Sequence, residues 1–230
     1  MSCRARVIAV RSLAPEILEA DLRMEDPPAL TFDAGQWVSV PFGPKIVRAY
    51  SLASTPQSPS VITLCADVAP GGIGSAWFRQ LTVGDEVGFK APLGGFVFSR
   101  TDPRRPLFVA EEIGIVPIRS ILSELYDTGF GRPAVLIYGA RDPDGLGYHQ
   151  ELRSLARRYP SFSYHPVVEQ APDGWTGARG DLVSAVARLV PAIDEVIAYV
   201  SGGEATIHRV RDLLVSRGLA RKAVRWEKFW

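Results

Sequence analysis

The apolar rhythm of this chain changes once. The change falls on Ser99-Arg100-Thr101-Asp102-Pro103-Arg104-Arg105-Pro106, a polar, proline-bearing stretch that reads as a linker. Before it lie short β-type runs at residues 7–10, 36–40, 60–64 and 86–90, separated by Pro and Gly. Several short strands with turn signals between them favour an antiparallel barrel or sandwich. One short helix is predicted near residues 75–81, after Gly72 and Gly74. Beyond the linker, buried-type strands at residues 107–110, 134–138 and 196–200 alternate with helical patterns. Ile115, Ile118, Leu122 and Leu125 recur at helical spacing, Leu152 and Leu155 mark a second helix, and residues 204–217 a third. Such alternation predicts a parallel sheet covered on both faces. The expected architecture is therefore two domains: an antiparallel barrel or sandwich over residues 1–102, then an α/β parallel-sheet domain over 103–230.

Composition narrows the classes of function. Apolar residues make up 47% and charged residues 22%, as in an ordinary globular protein. A formal net charge of +1 gives no global field to attract nucleic acid or an anionic membrane, so neither is an expected partner. Two cysteines, Cys3 and Cys65, supply neither a disulfide framework nor four iron–sulfur ligands. His149, His165 and His208 lack metal-ligand spacing, and no metal is expected. No G-x-S-x-G elbow supports a hydrolase. The N-terminus shows no signal peptide, and no membrane-length apolar run is present, so a cytoplasmic location is expected.

Three motifs follow one another in order: Arg48-Ala49-Tyr50-Ser51, Gly71-Gly72-Ile73-Gly74-Ser75, and Gly114-Ile115-Val116-Pro117. On a strand, alternation points Arg48 and Tyr50 to one face. A guanidinium grips a diphosphate through paired, charge-assisted hydrogen bonds. The Gly72–Ser75 segment reads as a flexible loop feeding a helix N-terminus, where free amides and the helix dipole favour phosphate. Blander readings exist for each: an exposed Arg beside a half-buried Tyr, or a plain glycine turn with Ser75 as N-cap.

In this order the motifs resemble those of the ferredoxin–NADP reductase-type flavoproteins, over roughly residues 7–230. That resemblance implies a β-barrel FAD domain followed by a nucleotide-binding α/β domain. It assigns Arg48, Gly72, Gly74 and Ser75 to anchoring FAD, and Tyr50 and Ser51 to setting the flavin ring, with Ser51 near flavin N5. Gly114 and Arg141, the latter in Tyr138-Gly139-Ala140-Arg141, would meet the nicotinamide nucleotide, NADP or NAD. Glu227, in Trp226-Glu227-Lys228-Phe229-Trp230, joins Ser51 and Tyr50 as a catalytic residue, and Trp230 would stack on the flavin or its adenine. The competing reading makes Trp226 and Phe229 core positions and Trp230 a frayed end. Pro92-Leu93-Gly94-Gly95-Phe96 resembles the family's barrel-closing turn.

The second half departs from the family pattern. Glu111-Glu112-Ile113 stands where relatives carry Gly-Gly-Thr, and Ser201-Gly202-Gly203 where they carry Cys-Gly-Pro. Two carboxylates repel a diphosphate and occupy its space, which weighs against nicotinamide binding at this spot. They would instead cap the helix that follows. The leading expectation is an FAD-dependent oxidoreductase passing hydride from NAD(P)H to flavin, then electrons to a separate acceptor such as ferredoxin, flavodoxin or a small molecule. The alternatives are a flavin-binding electron-transfer subunit that has lost nicotinamide binding, and a catalytically silent binding module.

Overall fold

Alternation of exposed and buried residues begins β1, Ser2–Ala14, and turns Cys3, Ala5 and Val7 inward. It pairs antiparallel with β2, Ile17–Asp26. Then come β3 (Trp37–Pro41), β4 (Val47–Ser51), β5 (Val61–Asp67), α1 (Gly72–Gln80) and β6 (Glu86–Leu93). The six strands pair in the order β4-β3-β6-β1-β2-β5, every neighbour antiparallel. A bridge from Leu52 to Leu64 joins the two edge strands and closes the sheet into the expected barrel. Leu22, Leu30, Leu52, Ile62, Leu64 and Phe78 fill its core. Glu19 is buried on β2, and its charge is met by the Arg11 guanidinium at 2.6 Å.

The computed structural model describes residues 1–229, which form two compact units. Residues 1–98 and 119–128 make the first, and residues 99–118 with those from 129 onward make the second.

The second unit begins with β7 (Arg105–Glu111), which leads through a tight 3₁₀ turn, Glu112–Gly114, into α2 (Ile115–Asp127), whose residues from 119 onward belong to the first unit. There follow β8 (Ala134–Ala140), α3 (His149–Arg158), β9 (Phe162–Val168), β10 (Ala178–Arg179), α4 (Leu182–Leu189), β11 (Val196–Gly202), α5 (Glu204–Ser216) and β12 (Val224–Lys228). All pairs are parallel, in the order β10-β9-β8-β7-β11-β12. From β7 the chain builds outward first through β8, β9 and β10, and later through β11 and β12. The reversal puts the topological switch point between β7 and β11. Every residue of β11 is buried, as in a sheet covered on both faces. Leu182 and Val186 of α4 pack with Ile207, Val210 and Leu214 of α5 onto Leu107, Val109 and Val200. The Asp181 carboxylate caps α4 by accepting from the Ser184 amide at 2.9 Å.

Two boundaries differ from the sequence reading. The stretch taken as a linker already contains the start of β7 at Arg105. It is held by Arg104, which donates to the Asp102 carboxylate at 2.5 and 2.9 Å and keeps that carboxyl down at about 2. Helix α1 begins at Gly72, three residues before Ser75, because Gly71 and Gly72 take positive φ angles of 73° and 89° that turn the chain into it. Among the described residues no helix is long and apolar enough to cross a membrane.

Phe78 is fully buried and its ring lies 5.7 Å from that of Tyr50 and 5.6 Å from that of Trp77. Phe78→Ala is expected to cost about 3–5 kcal/mol, read as a lower urea midpoint by tryptophan fluorescence.

Candidate functional site

In the first unit, β4 ends beside the start of α1. Strand alternation sends Arg48 and Tyr50 to one face, and α1 delivers Gly74 against both. A Cβ on Gly74 would stand 2.8 Å from the Tyr50 hydroxyl and 3.2 Å from Arg48 Cγ, so only glycine fits there. The Tyr50 hydroxyl donates to the Gly74 carbonyl at 3.3 Å, and its ring lies 5.4 Å from that of Trp77. Burial pushes the Tyr50 phenol up to about 12, although the Arg48 charge works the other way. Arg48 itself is exposed, and its guanidinium donates to the neighbouring Val47 carbonyl at 2.9 Å. Arg48, Ala49 and Tyr50 line a pocket of about 160 Å³ together with Ala66, Asp67 and the Gly71–Ser75 segment.

Ser51 is buried at the end of β4, opposite Trp37 of β3. Ser75 is not the N-cap. It is the fourth residue of α1, its hydroxyl donates back to the Gly71 carbonyl at 2.9 Å, and Gly71 takes the cap position. Just past β4, the Ala53 carbonyl accepts from Arg119 and the Ser54 carbonyl from Ser120, each at 2.6 Å. The Arg119-Ser120 pair thus secures the chain leaving β4.

The carboxyl ends of the second sheet carry the other group. Gly114 backs onto β11 so closely that a Cβ there would lie 2.5 Å from the Ser201 carbonyl. Ser201 is buried, and its hydroxyl has no hydrogen-bond partner among the described residues. Glu227, half-buried on β12, sits opposite Ser201 in the parallel register. Arg141 follows β8 and is exposed. It borders a pocket of about 120 Å³ with Glu111, Glu112, Gly139, Glu169 and Gly180.

The two unexpected carboxylates do not cap the helix that follows them. Glu111 reaches α5 instead, accepting from the Gly203 amide at 2.9 Å and from the Thr206 hydroxyl at 2.5 Å. Glu112 takes a left-handed φ of 48° and accepts from the Arg141 amide at 2.7 Å. Trp226 is 54% exposed, which removes it from the core, and Phe229 ties back through its amide to the Gly202 carbonyl at 2.9 Å. Trp230 lies outside the described residues. His149 is engaged by the Tyr164 hydroxyl at 2.8 Å.

Comparison with known proteins finds two family models along the chain. Residues 4–98 match the family model of the oxidoreductase FAD-binding domain, and residues 108–212 that of the oxidoreductase NAD-binding domain. Ferredoxin–NADP reductase B of Sorangium cellulosum is 30% identical over 98% of this chain and 96% of its own length. The chain belongs to the ferredoxin–NADP reductase-type family. It is an oxidoreductase with an FAD-binding and an NAD-binding domain. The Phenol hydroxylase P5 protein of Acinetobacter pittii is 33% identical over 80% of the chain, which spans 53% of that protein. The solved structure of Amycolatopsis cytochrome P450 reductase GcoB superposes with a TM-score of 0.90 at 25% identity, covering 100% of this chain and 70% of that one.

The first-unit pocket fits an FAD diphosphate. It joins an exposed guanidinium to the amides of a glycine-led helix start whose first turn carries no acidic residue. The fit is poorer in the second unit, where carboxylates already hold the donors at the strand ends.

The raised Tyr50 phenol has a consequence for stability. An unfolded chain loses that proton near the ordinary 10, whereas the folded one holds it up to about 12. Stability is therefore expected to fall as pH rises through this window. Urea midpoints of the native protein and Tyr50→Phe at both ends of the window check this; the Phe variant should lack that part of the loss.

Proposed function

We propose that the protein is an FAD-dependent reductase. It takes hydride from NAD(P)H and passes electrons to a separate acceptor, such as a ferredoxin or an oxygenase component. The observation that carries this reading is the convergence of Arg48, Tyr50 and Gly74 on one pocket at the start of α1.

In this reading Arg48 grips the FAD diphosphate, and the amides of Gly72 and Gly74 complete the anion site at the helix start. Tyr50 is held by Gly74, Trp77 and Phe78, so its ring is fixed before any cofactor arrives. A rigid ring costs little further entropy when flavin lies against it. Ser51, next in the strand, would help Tyr50 set the flavin ring. Bound FAD supplies the hydride-accepting and electron-passing chemistry, which the protein orients and shields from water. In the second unit Gly114, Arg141 and Glu227 form the side that receives the nicotinamide nucleotide. Names among the relatives, a ferredoxin reductase, a phenol hydroxylase component and a cytochrome P450 reductase, support an acceptor that is itself a redox protein.

Charge-assisted bonds of this kind contribute about 1.5–3 kcal/mol, equivalent to roughly 10–100-fold in affinity. Arg48→Ala should therefore release FAD on gel filtration and raise its Kd by that factor, whereas Arg48→Lys, which keeps the charge, loses less. Unchanged FAD affinity in Arg48→Ala overturns the assignment. For the electron source, anaerobic addition of NADH or NADPH to the yellow holoenzyme should bleach the flavin absorbance; a flavin that stays oxidised with both contradicts it.

A further inference from the structure

Open parallel sheets bind ligands in the crevice beyond the carboxyl ends of their strands, where the strand order reverses. Here that crevice lies between β7 and β11. Glu111 is the last residue of β7, and its carboxylate reaches across this crevice to the start of α5. Gly203 is the N-cap of α5 and Thr206 lies in its first turn, so the amide and hydroxyl that Glu111 holds are donors suited to an anionic ligand. Neighbouring backbone is moulded to the side chain: a Cβ on Gly202 would stand 2.7 Å from the Glu111 Cβ. Glu112 points toward β8 and holds the Arg141 amide, and on that side of β7 a second pocket is lined by three carboxylates, Glu111, Glu112 and Glu169. Against these three stands one guanidinium, that of Arg141.

We infer that Glu111 is a built-in occupant of the nucleotide crevice. A nicotinamide nucleotide enters only by displacing the Glu111 carboxylate from Gly203 and Thr206. Glu111 thereby sets the affinity of the site for nucleotide. The inference rests on the proposed function, since it takes the crevice to be the nicotinamide site. It differs from a lost site, because the donors remain intact beneath the carboxylate and become available once it is gone.

The test is calorimetric titration of the flavin-loaded protein with NAD⁺ and NADP⁺, oxidised so that no turnover intervenes. Native protein is compared with Glu111→Thr and Glu111→Gln. Replacement by Thr removes both the charge and the bulk, and should tighten nucleotide binding by about tenfold. The Gln variant keeps the shape and can still accept from the Gly203 amide, with the Thr206 hydroxyl turning to accept from its NH2 group, but it lacks the charge and should tighten binding less. Thermal melts of the same samples should show a lower Tm for the Thr variant, since α5 loses its cap, with recovery when nucleotide is added. If the Thr variant does not fold, the near-isosteric Gln variant decides. Folded, yellow variants that bind nucleotide no more tightly than native protein overturn the inference. A native protein that binds no flavin overturns the proposed function instead, and the nucleotide titration, made on a crevice of the second unit alone, still reads out Glu111.

Discussion

The first amides of an α-helix have no partner within the helix and must find an acceptor elsewhere. Much of the chemistry here follows from how two helices meet that demand. Helix α1 begins at Gly71-Gly72, with no carboxylate in its first turn and no side-chain cap. Helix α5 begins at Gly203, and an acceptor comes from Glu111, 92 residues earlier in the chain. The first solution leaves the positive end of a helix facing a pocket with Arg48 on its rim. The second neutralises a comparable helix end with the protein's own anion. One helix start is therefore ready for a phosphate, and the other is already answered.

Placement of Arg48 depends in turn on the barrel. Closing the sheet through Leu52 and Leu64 fixes where β4 ends, and Arg119 and Ser120 hold the next two carbonyls. Gly74 then has to approach the Tyr50 hydroxyl and Arg48 at distances that exclude any side chain. Packing of Trp77 and Phe78 under Tyr50 completes the arrangement. The pocket is thus a product of strand register and helix docking together. Its polar rim is carried on a dry aromatic base, which is what preorganisation of a cofactor site requires.

How much of this was legible in the sequence depends on the range over which each signal acts. The change of rhythm around residues 99–106 separates an antiparallel from a parallel sheet because side-chain periodicity is local. Arg48 and Tyr50 were readable for the same reason, since a period of two puts them on one face. The start of α1 was misplaced because Gly71 and Gly72 are poor helix formers; their left-handed φ angles, not their propensity, make the turn. The alternative reading of Ser75 as an N-cap fails with it, since Gly71 takes the cap position. The partner of Glu111 was beyond reach. A carboxylate binding a main-chain amide 92 residues away leaves no pattern in side-chain identity, and Thr206 at the other oxygen is an unremarkable helix residue. The nearest helix was the natural guess, and the parallel crossover brought a different one closer.

The size of the Glu111 interaction decides what kind of device it is. Side-chain caps contribute about 0.5–2 kcal/mol to a helix, and displacing one would weaken a competing ligand by roughly 2–30-fold. A dinucleotide has ribose, ring and phosphate contacts to set against such a loss, so the carboxylate lowers affinity without closing the site. Glu112 and Glu169 lie on the β8 side of β7, and Glu169 is exposed, so their repulsion is largely screened at physiological ionic strength. The cap also has a structural return: without it, the α5 start at the switch point would expose an unpaired amide beside the buried Ser201. A site with its own anion is stable while empty, and it trades affinity for that stability. Such a trade suits a reductase whose nucleotide has to leave after each hydride transfer, since product release is often the slow step in enzymes of high catalytic flux.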